Sequence, residues 1–184
     1  MISRFVRSSL VMPFSLQSRE AQRAWQMIIA AAGAVMTLTL ACVVPFPAMA
    51  MLASRTLSRR AGTVALLSAV VTNQAVGFLV LGYPRTLATV AWAPVYAAAT
   101  LAAFAVSRRV ANPLLALVAA FAVYEGVFAA FTLATTHSLA DFAPRIVAQV
   151  ALGNVLGFAV LGLLYVGVVA VERGTSRRDL HVAQ

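Results

Sequence analysis

The stretch CVVPFPAMAMLASR, residues 42–55, interrupts a long apolar run with two prolines, Pro45 and Pro47. Residues 25–54 include no Asp, Glu, Lys or Arg, so they are consistent with one tilted helix or with two shorter ones. Each proline lacks a backbone donor and disfavours a helical conformation of the residue before it. A break at Pro45 would fold the chain back and start a short second helix.

Composition places the chain in a membrane: 62% of its 184 residues are hydrophobic and only 10% are charged. About 20 residues at ~1.5 Å each cross a ~30 Å hydrocarbon core. The net charge of +9 comes from arginines at the ends of the apolar segments, not from one surface stripe, so no nucleic-acid partner is predicted. The apolar segments cover residues 25–54, 61–82, 86–106, 110–135 and 146–171.

The distribution of the fourteen arginines decides between five and six spans. With a break at Pro45, twelve lie on one side and only Arg85 and Arg145 on the other; without it the sides hold six and eight. The sequence therefore predicts an all-α integral membrane protein of six transmembrane helices, the second one short, with both termini cytoplasmic. The predicted parts are an N-terminal cytoplasmic or interfacial segment (1–24), a transmembrane domain (25–171) and a cytoplasmic tail (172–184).

Polar and aromatic side chains interrupt the apolar segments at a common depth. Counting ~1.5 Å per residue from the predicted outer turns places them roughly 10 to 17 Å into the membrane. An acidic group there is costly unless it is paired or neutralised, so Glu125 suggests function, although a structural acid paired with Tyr124 is the alternative. Asn73 is equally compatible with hydrogen bonding between helices. These residues are Asn73, Trp92, Tyr96, Glu125 and Asn154.

A short motif occurs twice, as GFLVLG at 77–82 and as GFAVLG at 157–162. The two copies lie on segments predicted to run in opposite directions. Two explanations stay open. The copies belong to an inverted-topology repeat, or they arose by chance in a chain dominated by Gly, Ala, Val and Leu.

No catalytic motif accompanies these features. The chain has no GK[ST] loop, HExxH, CxxC or GxSxG motif, so it is not predicted to be an enzyme or to hydrolyse ATP. Its single cysteine, Cys42, excludes an intrachain disulfide. His137 and Asp141 provide two metal-binding side chains, which are too few for a site.

Three features resemble one transporter family: the small-residue pair Ala30 and Ala34 on the first helix, CVVPFPAMAMLA from Cys42, and NQAVGFLVLGYP from Asn73. Together with six predicted helices and no soluble domain, they resemble the substrate-binding S-components of energy-coupling-factor vitamin transporters. Within that family they look like the solitary, cobalamin-type members of proteobacteria. The resemblance covers about residues 25 to 171.

The resemblance implies a vitamin-uptake protein of the bacterial inner membrane that binds cobalamin or a related corrinoid from the outer side. It implies no intrinsic cofactor, a transmembrane coupling subunit with two ATPases that docks on Ala30 and Ala34, and a cobalt–thiolate bond from Cys42. Two other functions stay open, a non-catalytic structural or assembly subunit and a proton-coupled carrier acting through Glu125. The predicted substrate-binding residues are Cys42, Phe46, Asn73, Tyr83, Trp92, Tyr96, Glu125 and Asn154.

A label at residue 58 tests the predicted topology. Because the short second helix returns the chain to the cytoplasm, a cysteine replacing Ser58, in a chain without Cys42, should react with a membrane-impermeant maleimide only after the cells are opened. Labelling in intact cells would show that the chain does not fold back at Pro45.

Overall fold

The structure, a computed structural model, describes residue 16 and residues 18–40 and 44–182. This part of the chain is α-helical with no β-strand, which confirms the predicted all-α class. A 3-10 helix, Ala140–Phe142, precedes the last α-helix. The α-helices are α1 Arg19–Leu40, α2 Phe46–Thr56, α3 Arg59–Leu79, α4 Leu87–Val90, α5 Trp92–Ser107, α6 Pro113–Thr136 and α7 Pro144–Val182.

Four helical stretches of 21 to 32 residues are long and apolar enough to cross a membrane: α3, α4 with α5, α6, and α7 as far as Thr175. This agrees with a multi-pass membrane protein. The last helix continues as a single α-helix to Val182, past the boundary predicted at residue 171.

The first three helices run up, down and up. Trp25, near the start of α1, donates from Nε1 to Thr56 Oγ1 at 2.8 Å, and Thr56 is the last residue of α2. Gly33, in the middle of α1, lies against Ala69 in the middle of α3. The start of α1 therefore lies near the end of α2 and the start of α3, and the middles of α1 and α3 lie together. Helices α1 and α3 are parallel and pack directly on each other, and α2 runs opposite to both.

The remaining long helices continue the alternation. Phe104, near the end of α5, packs on Gly62 near the start of α3. Trp92, the first residue of α5, stacks on Phe128 in the second half of α6. Tyr165 of α7 lies against the first turns of α1. Each of α1, α2, α3, α5, α6 and α7 thus runs opposite to the one before it.

This alternation separates the arginines that the structure describes. Ten lie where α1 begins, α2 and α5 end, α3 begins and α7 ends; we call this the arginine-rich end. Only Arg85 and Arg145 lie at the opposite end, in the turns before α4 and at the start of α7. The ten are Arg19, Arg23, Arg55, Arg59, Arg60, Arg108, Arg109, Arg173, Arg177 and Arg178.

Helix α2 is the centre of the bundle. Eight consecutive residues, Phe46 to Ala53, are buried, so the helix has no exposed face over its first two turns. It packs against α3, α5, α6 and α7. Its 11 residues extend about 16 Å, roughly half the thickness of a hydrocarbon core.

A buried helix must satisfy its first backbone N–H groups without water. Pro47 has no N–H, and the amides of Phe46 and Met49 donate to backbone carbonyl oxygens at 2.8 and 3.0 Å. The Ala48 amide donates to Oδ1 of Asn154 on α7 at 3.2 Å. Asn154 therefore caps α2 from another helix.

Two glycines allow the close helix contacts on which this arrangement depends. A methyl group at Gly33 would overlap the backbone of Ala69 on α3, and one at Gly157 would overlap the ring of Pro45 before α2. Small residues at such positions let helices approach closely in membranes.

Polar caps start two of the helices at the arginine-rich end. Ser58 Oγ accepts from the Ala61 amide at 3.3 Å at the start of α3. Asn112 Oδ1 accepts from the amides of Leu114 and Leu115 at 2.9 and 3.1 Å at the start of α6. These side chains satisfy amides that have no partner within the helix.

Replacing Asn154 with alanine should destabilise the protein, because the buried Ala48 amide would lose its acceptor. We expect a loss of about 1–3 kcal/mol, seen as a lower thermal transition of the detergent-purified protein. Gln149→Ala, at an exposed position of the same helix, is the matched control and should have little effect. Equal behaviour of the two variants would contradict a capping role for Asn154.

Candidate ligand-binding cavity

A cavity of about 170 Å³ lies between α5, α6 and the first turns of α7. It is in the half of the bundle away from the arginine-rich end. Three of the predicted site residues, Trp92, Tyr96 and Glu125, line it together. The other lining residues are Val44, Tyr124, Phe128, Thr132, Phe142, Ile146 and Val150.

The wall of the cavity is aromatic, and Phe128 is at its centre. Its ring centroid lies 5.5 Å from that of Trp92, 4.8 Å from that of Tyr96 and 4.8 Å from that of Tyr124. Behind this wall, Phe46 of α2 packs against Tyr96 and Tyr124 at 5.9 and 6.3 Å. These contacts hold the rings in place, so the wall is formed before any ligand arrives.

Spacing along the helices explains how the wall forms. Trp92 and Tyr96 are four residues apart and share a face of α5. Helix α5 begins at Trp92 because Pro94 cannot donate to the carbonyl of Val90, which ends the preceding short helix α4.

The sequence prediction missed two groups of lining residues. Tyr124, Phe128 and Thr132 follow each other at intervals of four on α6, and Phe142, Ile146 and Val150 do so around the start of α7. The four-residue spacing was visible in the sequence. In a chain this apolar it does not distinguish a cavity face from a lipid face.

Glu125 is the only carboxylate among the residues that line the cavity. It lies twelve residues after Pro113 and eleven before Thr136, close to the middle of α6. Within the described residues no hydrogen bond or ion pair engages its half-buried carboxylate. A group of this kind at this depth is costly without a counter-charge or a proton, so the cavity is electrostatically incomplete.

The cavity lies where two helices are separated. Among the described elements α6 and α7 make hardly any direct contact, although both pack on α2. Val44, just before α2, is also among the lining residues. The cavity therefore lies where α6 and α7 are apart, and Glu125 of α6 is among its lining residues.

Asn73 lies elsewhere, in the interface between α1 and α3. Its Nδ2 donates to Thr37 Oγ1 at 2.7 Å, and its Oδ1 accepts from Gln74 Nε2 at 2.9 Å. Its side chain is 6% exposed and does not line the cavity. The structure therefore places Asn73 as a link between two helices, the alternative that the sequence left open.

Three other predicted site residues also lie outside the cavity. The side chain of Asn154 accepts a hydrogen bond from the Ala48 amide of α2, and Phe46 is fully buried behind the aromatic wall. Tyr83 folds back on the end of α3, where its ring lies against Gly77 and 6.2 Å from the ring of Phe78.

The predicted coupling and cobalt residues are placed as follows. Ala30 and Ala34 are half-buried on α1, and the Ala30 carbonyl accepts from Thr72 Oγ1 of α3 at 2.8 Å. Cys42, the predicted cobalt ligand, lies outside the described residues. Among the residues that are described, no three His, Cys, Asp or Glu side chains come together to hold a metal.

The two copies of the repeated motif have similar packing roles in helices of opposite direction. Asn73 and Asn154 each bond to a neighbouring helix. Gly77 and Gly157 each lie against the ring of a residue in a turn away from the arginine-rich end.

Comparison of the chain with protein-family models, curated proteins and solved structures finds no match. The resemblance to vitamin transporters therefore stays a prediction based on sequence motifs.

Replacing Asn73 with alanine should lower stability without changing the cavity. The lost interhelical bond is worth roughly 0.6–2 kcal/mol, which should appear as a lower thermal transition. Binding of any cavity ligand should be unchanged when it is measured below that transition. A loss of binding at unchanged stability would place Asn73 in the ligand site instead.

Proposed function

We propose that the chain is a membrane uptake protein that binds a small, positively charged organic solute in the cavity between α5, α6 and α7. The observation that carries this proposal is the unpaired carboxylate of Glu125 beside a preformed aromatic wall. A carboxylate at this depth is stabilised by a positive partner or by a proton, and the described protein residues supply no positive partner.

Aromatic faces and a carboxylate together favour an organic cation. Trp, Tyr and Phe rings attract a cation placed over their faces, by about 2 kcal/mol or more where water is excluded. Trp92, Tyr96, Tyr124 and Phe128 all line the cavity that holds Glu125. A neutral planar solute would gain from the rings but would leave the carboxylate without a partner.

The size of the cavity limits the solute. A dry cavity of ~150 Å³ holds benzene, so about 170 Å³ suits a ligand of similar size unless α6 and α7 separate further. A corrinoid is far larger than this cavity. The residue predicted to bind its cobalt, Cys42, lies outside the described residues. Corrinoid uptake therefore stays a prediction of the resemblance, and it requires the gap between α6 and α7 to widen.

The proposed orientation is six spans with both termini cytoplasmic in a bacterial inner membrane. The arginine-rich end would then be cytoplasmic, following the excess of arginine in cytoplasmic loops. The ten-to-two separation of the described arginines and the alternating helix directions support this orientation. The cavity would lie in the outer half, where it can receive solute from outside.

The chain has no phosphate-binding loop, so any ATP-driven step would need separate subunits. A coupling subunit with two ATPases is the partner that the resemblance implies.

A second candidate function is a proton-coupled carrier. The position of Glu125 near the middle of α6 favours it, because buried carboxylates act as proton relays in transporters. In proteoliposomes without ATPases, uptake that requires a proton gradient supports the carrier.

Choline and its uncharged isostere 3,3-dimethylbutan-1-ol test the proposed site. We expect choline to bind the detergent-purified protein at least tenfold more tightly than the isostere, measured by calorimetry. Glu125→Gln should remove most of that preference, because the variant keeps the shape of the cavity and loses its charge.

Glu20→Gln is the matched control, since it removes the same charge at the exposed start of α1. It should leave both affinities unchanged. Equal binding of choline and its isostere to the unmodified protein would contradict a cation site. If neither compound bound at millimolar concentration, that result would contradict the proposed cavity.

A further inference from the structure

A groove of about 500 Å³ lies at the arginine-rich end, between the start of α3 and the end of α5. It is separate from the cavity that holds Glu125, and its residues have no part in the proposed uptake site. Its lining residues are Arg59, Thr63, Leu101, Phe104, Ala105, Arg108 and Arg109.

The rim of the groove carries three guanidinium groups and no carboxylate. Arg59, the first residue of α3, and Arg109, after the end of α5, are exposed and have no ion pair within the described residues. Arg108 donates to the Leu57 carbonyl at 3.4 Å and lies 5.6 Å from the centre of the Phe104 ring. Its contacts fix a positive charge above an aromatic surface.

The floor of the groove is apolar. Phe104 and Ala105 lie on the turn of α5 next to the arginines, and Leu101 lies one turn further from them, toward the middle of the membrane. On the adjoining helix α3, Val64 and Val71 are 53% and 65% exposed, as expected for a surface that faces lipid. Charge at one end and apolar surface beyond it match the two parts of a phospholipid.

We propose that this groove binds an anionic phospholipid, with the headgroup phosphate between Arg59 and Arg109 and an acyl chain along Leu101 and Ala105. Basic pockets between transmembrane helices at a membrane surface bind anionic headgroups, and each surface arginine contributes about 1 kcal/mol to attraction by an anionic leaflet. A free phosphate or nucleotide would use the arginines but would leave the apolar floor uncovered.

The opposite end of the molecule provides a matched comparison. Arg85 and Arg145 are exposed there, and neither of them lines this groove. This pair carries the same charge as Arg59 and Arg109 but does not lie in the groove. If the groove binds the lipid, removal of Arg59 and Arg109 should weaken binding, and removal of Arg85 and Arg145 should not.

Native mass spectrometry of the delipidated protein tests this site. Phosphatidylglycerol and phosphatidylcholine with identical acyl chains are titrated against the unmodified protein, the Arg59→Gln/Arg109→Gln variant and the Arg85→Gln/Arg145→Gln control. We expect phosphatidylglycerol to bind in preference to phosphatidylcholine. The groove variant should lose at least fivefold in phosphatidylglycerol affinity, the factor that corresponds to about 1 kcal/mol, and the control should not.

Arg59→Lys/Arg109→Lys keeps the charges and should retain most of the affinity, which separates loss of binding from loss of folding. Equal loss in the groove variant and the control would overturn the proposal, as would equal binding of the two lipids. Binding of inorganic phosphate that displaces phosphatidylglycerol at comparable concentration would also overturn it, because the apolar floor would then contribute nothing. The outcome is independent of any solute that binds near Glu125.

Discussion

The complete burial of the first two turns of α2 is the constraint on which the rest of the bundle depends. A helix enclosed by other helices can satisfy its first amides only from within the protein, since neither water nor lipid reaches them. Proline at position 47 removes one amide, backbone carbonyls accept from two, and Asn154 accepts the remaining one. The fold-back at Pro45 and the position of α7 are thereby coupled.

The shortness of α2 also explains where the cavity lies. Its 11 residues end beside Trp25 at the arginine-rich end, so it fills only part of the space that the longer helices enclose. Both α6 and α7 pack on α2, but among the described elements they make hardly any direct contact with each other. Val44 and the aromatic side chains of α5 and α6 line the space that remains.

Polar residues within the apolar helices have two different roles. Asn73 and Asn154 are amides, which both donate and accept, and each finds partners on neighbouring backbone and side chains. Glu125, when ionised, only accepts, and none of the described groups near it donates. The same type of sequence signal, a polar residue at mid-depth, therefore marks helix contacts in two cases and a carboxylate that lines a cavity in the third.

The sequence by itself determined the all-α membrane class, and it predicted a helix break at Pro45 and a common depth for Trp92, Tyr96 and Glu125. Those conclusions depend on hydropathy, on proline geometry and on counting residues along an axis, which are local properties. Only the tertiary structure decided that Asn73 and Asn154 join helices and that Tyr124, Phe128 and Val150 line the cavity. Depth is fixed by position along the chain, whereas the direction a side chain faces depends on how each helix is rotated against its neighbours, and small residues such as Gly33 and Gly157 set that packing.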